Sequence, residues 1–364
     1  MTDREACVAF NLTGQIGSVG VGRLAERAGS VAAAWEAYPS KTSRTGGEVL
    51  WEAEFEKAAK CGVSILTRCD PGYPAMLKRT PGGPLVLYVS GDPAALSRPS
   101  VAIVGTRRAT PYGLAQAERF ARGLAEEGWA VVSGLAVGID AAAHKGALVA
   151  GGTTCGILGS ALDRFYPEEN RALAREIVKK GGAVASEFPF GRPPDVQTFP
   201  QRNHVVAALS AGTLCIEAPV KSGTLITANI AADLGRTVMA VPGRVDSPHC
   251  AGCLLLLREG ARLVRSPRDV AEELAKLAPP RPAKRKEGTE EETGKGATAI
   301  PQPPFNVEES IVMRNLDEAG VPIDTLVERT KLSAAKVNAV CMALRMKGRL
   351  RFLPGNRVAA QPAP

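Results

Sequence analysis

The chain has 364 residues, 45% hydrophobic and 23% charged, with a formal net charge of +8 and a mean hydropathy of −0.03. No apolar run approaches the roughly 18 residues a membrane helix needs. The N-terminal "MTDREACVAFNLTG" lacks the basic-then-apolar order of a secretory signal, so a cytoplasmic protein is expected. Eight irregularly spaced cysteines in a chain of this kind predict reduced thiols rather than a disulfide framework, and the basic balance favours polyanionic partners.

Residues 1 to 75 read as a mostly helical module. "GSVGVGRLAERAG" has the helix, glycine turn, helix order that can present backbone N–H groups to a phosphate, or serve a small packing domain. A turn-rich stretch follows, with one apolar strand, "PLVLYVSG", leading into the central domain. From 100 to 277, short apolar runs alternate with helical ones ending in glycine. Candidate strands start at 100, 130, 153, 183, 213, 237 and 262. They are apolar on both faces, the signature of a doubly covered, Rossmann-like parallel sheet. The central domain is therefore set at 76 to 277. Residues 278 to 305 are rich in proline, glycine and charge and read as a linker. Residues 306 to 364 recover helical periodicity three times and end in a hairpin, which predicts a winged-helix module for DNA or a partner protein.

Four strand-to-helix turns carry the candidate site. In "IVGTRRATPYG", Gly105 and Thr106 are followed by Arg107 and Arg108, two cationic forks suited to phosphate oxygens. A dinucleotide turn would need G-x-G-x-x-G and a ribose-binding acid about 20 residues on, and neither is present. "SGLAVGIDAAAH" repeats the device with Gly134 and Gly138. In "FPQRNHVVAALSAG", Arg202, Asn203 and His204 stand at the head of a helix. "KSGTLITAN" offers Lys221, Ser222, Gly223 and Thr224 at another, with the lysine before the glycine. That order is wrong for a P-loop, so no NTP hydrolysis is expected. Several helix starts meeting at one sheet edge would form a basic, amide-lined groove for a sugar-phosphate backbone.

Catalytic signals are sparse. The three histidines, His144, His204 and His249, belong to no nucleophile motif, and "HCAGC" has a C-x-x-C without a second ligand pair. No metal or cofactor is expected, and no catalytic residue is assigned.

Taken together, "VAIVGTR", "SGLAVGIDAAAH", "ALDRFYPEEN", "SEFP", "FPQRNHVVAALS", "IEAPVKSGTLITANIAADLGRTVMAVPG" and "GCLLLLREGA" occur in an order and spacing that resemble the DprA/Smf family of DNA-processing proteins. The resemblance spans essentially the whole chain. It implies an extended Rossmann-like domain between an N-terminal SAM-like or helix-hairpin-helix domain and a C-terminal winged helix. It also implies a non-enzymatic homodimer that binds single-stranded DNA, protects it, and loads RecA recombinase onto it during natural transformation. The family's phosphate-contacting positions correspond here to Gly105, Thr106, Arg107, Gly134, Gly138, Arg202, Asn203, Lys221, Ser222, Gly223 and Thr224. Two positions depart from the family pattern: His204 replaces the arginine after "RN", and Leu254 replaces an asparagine. A second reading is an enzyme, since "SAGTLCIEAP" with Glu217 is faintly similar to the LOG-like nucleotide phosphoribohydrolases.

Overall fold

The computed structural model describes residues 1–42, 49–275, 307–316, 320–346, 350–353 and 357–360. They fall into two units, Met1–Lys286 and Glu287–Pro364. The linker expected at 278 to 305 lies outside the described residues.

The first unit begins with four helices, α1 (Asp3–Thr13), α2 (Ser18–Ala28), α3 (Val31–Glu36) and α4 (Trp51–Lys60). Thr2 and Glu5 close a reciprocal capping box on α1, and Gly14 ends it in the left-handed conformation. Phe10 of α1 meets Trp35 of α3 edge to face at 5.0 Å. The helices share their core with β1 (Val63–Thr67) and, beyond the short helix α5 (Ala75–Arg79), with β2 (Val86–Gly91). β1 thus lies inside the segment expected to be helical. Its antiparallel partner is β2, so the two strands of one ladder straddle position 75.

The rest of the unit alternates strand and helix: β3 (Ser100–Val104), α6 (Pro111–Glu126), β4 (Ala130–Ser133), α7 (Ile139–Val149), β5 (Thr154–Ile157), α8 (Arg171–Lys179) and β6 (Ala183–Ser186). It continues through α9 (Thr198–Leu209), β7 (Gly212–Cys215), α10 (Gly223–Asp233), β8 (Thr237–Ala240), α11 (Ala251–Arg258), β9 (Arg262–Leu263) and α12 (Pro267–Ala275). All seven strands expected in the central domain form. Nine strands make one sheet, ordered β1-β2-β6-β5-β4-β3-β7-β8-β9. β6 to β9 pair in parallel, while β2 joins β6 antiparallel.

Successive side chains of a strand point to opposite faces, and β3 shows the result. Val101 and Ile103 pack with Phe120 and Leu124 of α6, Ala143 of α7 and Leu274 of α12. Ala102 and Val104 pack with Val205 and Leu209 of α9, Ala228 of α10 and Leu256 of α11. Each fully buried Leu, Ile or Phe contributes about 1.5–3 kcal/mol, so both faces are held firmly. The order matters for function. From β3 the chain builds outward through β4, β5 and β6 on one side, then returns to β7, β8 and β9 on the other. The carboxyl ends of β3 and β7 therefore flank the point where strand order reverses, where open sheets of this kind leave a crevice for ligands.

The second unit holds α13 (Val307–Arg314), β10 (Val321–Pro322), α14 (Ile323–Thr330), α15 (Ala334–Met346), β11 (Leu350–Leu353) and β12 (Arg357–Ala360). Three strands pair in the order β10-β12-β11. Val312, Leu326, Val337, Leu344, Leu350 and Val358 form its core. This is the expected winged helix.

Candidate functional site

A cavity of about 330 Å³ opens at the β3/β7 reversal. It gathers Gly105, Thr106, Arg107, Arg108, Gly134, Arg202, Asn203, Lys221, Ser222, Gly223 and Thr224 from three strand-to-helix connections and the second turn of α9. Arg107, Arg108 and Lys221 are exposed at it. Gly138 and His204 do not line it.

These four segments are not equivalent. The first leads into α6, where Thr110 caps the helix and Pro111 opens it. Here the expectation of open amides fails. Both carboxylate oxygens of the buried Glu217, which follows β7, hold the turn: Thr110 N donates at 2.9 Å and Thr110 Oγ1 at 2.6 Å. Thr106 N donates to the Glu217 carbonyl at 2.7 Å. A negative charge already sits at the positive end of α6. Both Glu217 oxygens thus hold the α6 turn, and Glu217 does not line the cavity, an arrangement that does not favour the phosphoribohydrolase reading.

The second turn, before α7, is occupied likewise. Gly134 N donates to the Asp140 carboxylate at 3.1 Å, and Ile139 N donates to the Thr106 carbonyl. Burial holds the Asp140 carboxyl above the usual range, with the neighbouring Arg202 pulling it back. Gly138, at φ 85° and ψ −129°, is a backbone conformation open only to glycine. Its role is to let the chain pass against the Thr106 and Arg107 carbonyls rather than to face the cavity.

The third helix, α9, presents a face and not an end. Asp195 takes the amides of Gln197 and Thr198 at 2.7 and 2.9 Å, while Arg202, Asn203 and His204 follow in its second turn. Helical spacing then divides them: Phe199, Arg202, Asn203 and Val206 line the cavity, and Gln201 and His204 line a different one beside α1 and α2. The departure at His204 therefore changes a position that lines a different cavity from Arg202 and Asn203. Arg202 is only 6% exposed. Its guanidinium donates to the carbonyls of Gly134 and, at 2.9 Å, Ile157. Carbonyls at the carboxyl ends of β4 and β5 need a donor, and Arg202 supplies it beside Asp140. A side chain on Gly134 would collide with that guanidinium.

The fourth helix, α10, differs. Ser222 stands at its N-cap without making a side-chain cap, and its buried Oγ has no hydrogen-bond partner among the described residues. One carboxylate, Asp140, lines the cavity, and it belongs to the second turn, where Gly134 N donates to it. The helix's positive end, Lys221, Arg107 and Arg108 thus converge on one space, which suits an oxyanion. Asn203 Nδ2 reaches the Gly223 carbonyl at 3.5 Å, and Thr227 Oγ1 donates to the same oxygen at 3.2 Å, bracing that turn.

Sequence reasoning missed Phe199, whose ring lies 5.0 Å under the Arg107 guanidinium and 6.1 Å from the ring of Tyr166. It also missed Asp140 and Asp195, and it named Glu217 without its part in holding a turn. Thr110-Pro111 was a readable cap signal, and Asp140 in the first turn of α7 another. Among the described residues no group of three His, Cys, Asp or Glu side chains is placed to hold a metal ion. Nor is any described helix long and apolar enough to cross a membrane.

Against known proteins, the family model of DNA recombination-mediator protein A matches residues 64–275, and that of the DprA winged helix domain matches 297–356. Protein Smf of Synechocystis is 30% identical over 386 residues, covering 96% of this chain and 97% of its own. The X-ray structure of DNA processing protein A from Streptococcus pneumoniae superposes with a TM-score of 0.62 at 31% identity, over 74% of this chain and 95% of that one. DNA processing protein A from Helicobacter pylori, whose structure concerns its unique single-stranded DNA binding mode, gives a TM-score of 0.53 at 31% identity. It covers 59% of this chain and 96% of its own.

Proposed function

The chain belongs to the DNA recombination-mediator protein A family, the DprA/Smf proteins, and from that premise we propose that it grips single-stranded DNA by its phosphates at the β3/β7 crevice, without making or breaking a bond. One observation carries the reading: Arg107 and Arg108 from one turn and Lys221 from another, all exposed, surround a single cavity with the α10 N-terminus. Such contacts neutralise phosphates without reading bases, so affinity falls steeply with salt and hardly depends on sequence. The Helicobacter pylori relative's single-stranded DNA binding and the family's description as recombination mediators support it.

On this reading the protein acts in the cytoplasm as a homodimer and loads RecA recombinase onto the strand it holds. The test is a titration of labelled single-stranded and duplex oligonucleotides across salt concentrations, with the chain intact and with Arg107→Ala. Single strands are expected to bind more tightly at moderate salt, and the variant to weaken all sequences alike. Equal affinity for duplex would overturn the reading. Recombinase loading is tested by RecA strand exchange on single-strand-binding-protein-coated DNA, and dimerisation by sedimentation.

A further inference from the structure

Outside the crevice, a reactive pair lies at the β1 edge of the sheet. Cys7, buried in α1, and Cys69, exposed in the turn after β1, bring their Sγ atoms to 3.6 Å. The contact is held from both sides. One turn before Cys7, Arg4 Nη2 donates to the Ile65 carbonyl at 3.0 Å, and its Nε lies 3.4 Å from Asp70. Asp70 in turn accepts from Thr67 N at 2.7 Å and Thr67 Oγ1 at 3.1 Å. Helix and turn are thus docked with the sulfurs facing each other, and a disulfide, at about 2.05 Å, needs only a small further approach.

We propose that Cys7 and Cys69 form an oxidisable dithiol that hydrogen peroxide converts into an intramolecular disulfide, tying α1 to the sheet edge. The two thiols have distinct parts. The Cys7 thiol, itself kept protonated, hydrogen-bonds Cys69 and lowers its pKa to about 7, so the exposed sulfur carries the thiolate, which is the attacking form. The Cys69 thiolate attacks one peroxide oxygen, the O–O bond breaks, and the hydroxide that leaves takes up a proton to become water. Cys69 is then a sulfenic acid. The Cys7 sulfur displaces its hydroxyl, forming the S–S bond, and the Cys7 proton leaves with that hydroxyl as a second water. Two thiols are oxidised, one peroxide is reduced, and a dithiol reductant reverses the change. Because the partners are 62 positions apart, the closed loop restricts the unfolded chain and raises thermal stability.

The experiment uses the full reduced chain, treated with hydrogen peroxide, alkylated and digested without reductant. The expected result is one peptide pair joining Cys7 to Cys69, two fewer free thiols, and an unfolding midpoint raised by several degrees and restored by dithiothreitol. Cys7→Ser should leave Cys69 as a sulfenic acid trapped by a 1,3-diketone reagent, and Cys69→Ser, at an exposed position, should leave Cys7 unmodified. Oxidation of Cys69 to sulfinic acid without the cross-link would overturn the proposal. So would faster reaction of the other exposed thiol, Cys61, or continued reactivity of Cys7 in Cys69→Ser.

Discussion

Helices α6 and α10 both start beside the β3/β7 reversal, α6 after a turn that begins with Gly105 and α10 with Gly223 as its first residue, yet their positive ends are used differently. At α6 the Glu217 carboxylate fills the turn from inside the protein. At α10 the N-cap Ser222 makes no cap and its hydroxyl lacks a partner among the described residues. A glycine turn before a helix is therefore a phosphate site only where the fold has not already supplied the anion. Asp140 and Asp195 repeat the α6 arrangement at two further turns, so in the proposed grip exposed cations do more of the holding than backbone amides.

Arg202 offers the largest way to break this comparison. Arg202→Ala strips the donor from the Gly134 and Ile157 carbonyls and leaves Asp140 buried without its cation, a loss of about 3–5 kcal/mol by urea unfolding. The sign with pH follows from Asp140. Its folded pKa is already raised from 3.8 by burial, so its contribution is best below that value and is lost as pH rises through the folded one. Removing Arg202 raises it further, so the variant should be more destabilised at pH 8 than at pH 5. A loss under 1 kcal/mol would mean Arg202 is free for DNA.

Glu217→Ala should cost about 3 kcal/mol, because Thr110 loses both acceptors in a buried place. The conservative Glu217→Gln should leave the salt dependence of DNA binding unchanged. Tighter DNA binding by Glu217→Gln would show that α6 also meets phosphate.

Lys221→Ala and Arg107→Ala should leave unfolding within about 0.5 kcal/mol of the parent, as exposed substitutions do. Each should weaken single-stranded DNA about five- to tenfold and reduce the slope of log affinity against log salt by about 1. Fluorescence anisotropy across a salt series reads both quantities. The smallest effect is Ser222→Ala. With no partner to lose inside the protein, stability should hold or rise slightly, while DNA affinity drops two- to threefold. An unchanged affinity would remove the α10 N-cap from the grip.

Strands β3 to β8 of the central sheet were legible because each is a short, mostly apolar run between helix stops, as strands covered on both faces must be. β1 escaped because it follows a helical run directly, and its partners in β2 lie 19 (Thr67 to Val86) to 27 (Val63 to Ser90) residues ahead. At the site, the residue types were readable: Arg107, Arg108, Lys221 and their glycines announce a basic, close-approach surface wherever they fold. His204 looked like its neighbours Arg202 and Asn203, and only the seating of α9 on the sheet turned it toward the other cavity.

The sequence alone thus determined the layered α/β architecture, the winged helix and the cationic residues available to a polyanion, since these follow from local periodicity and composition. Tertiary structure decided which helix end stays open. The anion that closes α6 comes from Glu217, 107 positions from Thr110, and whether a buried N–H is already satisfied depends on such distant partners, which no local pattern records.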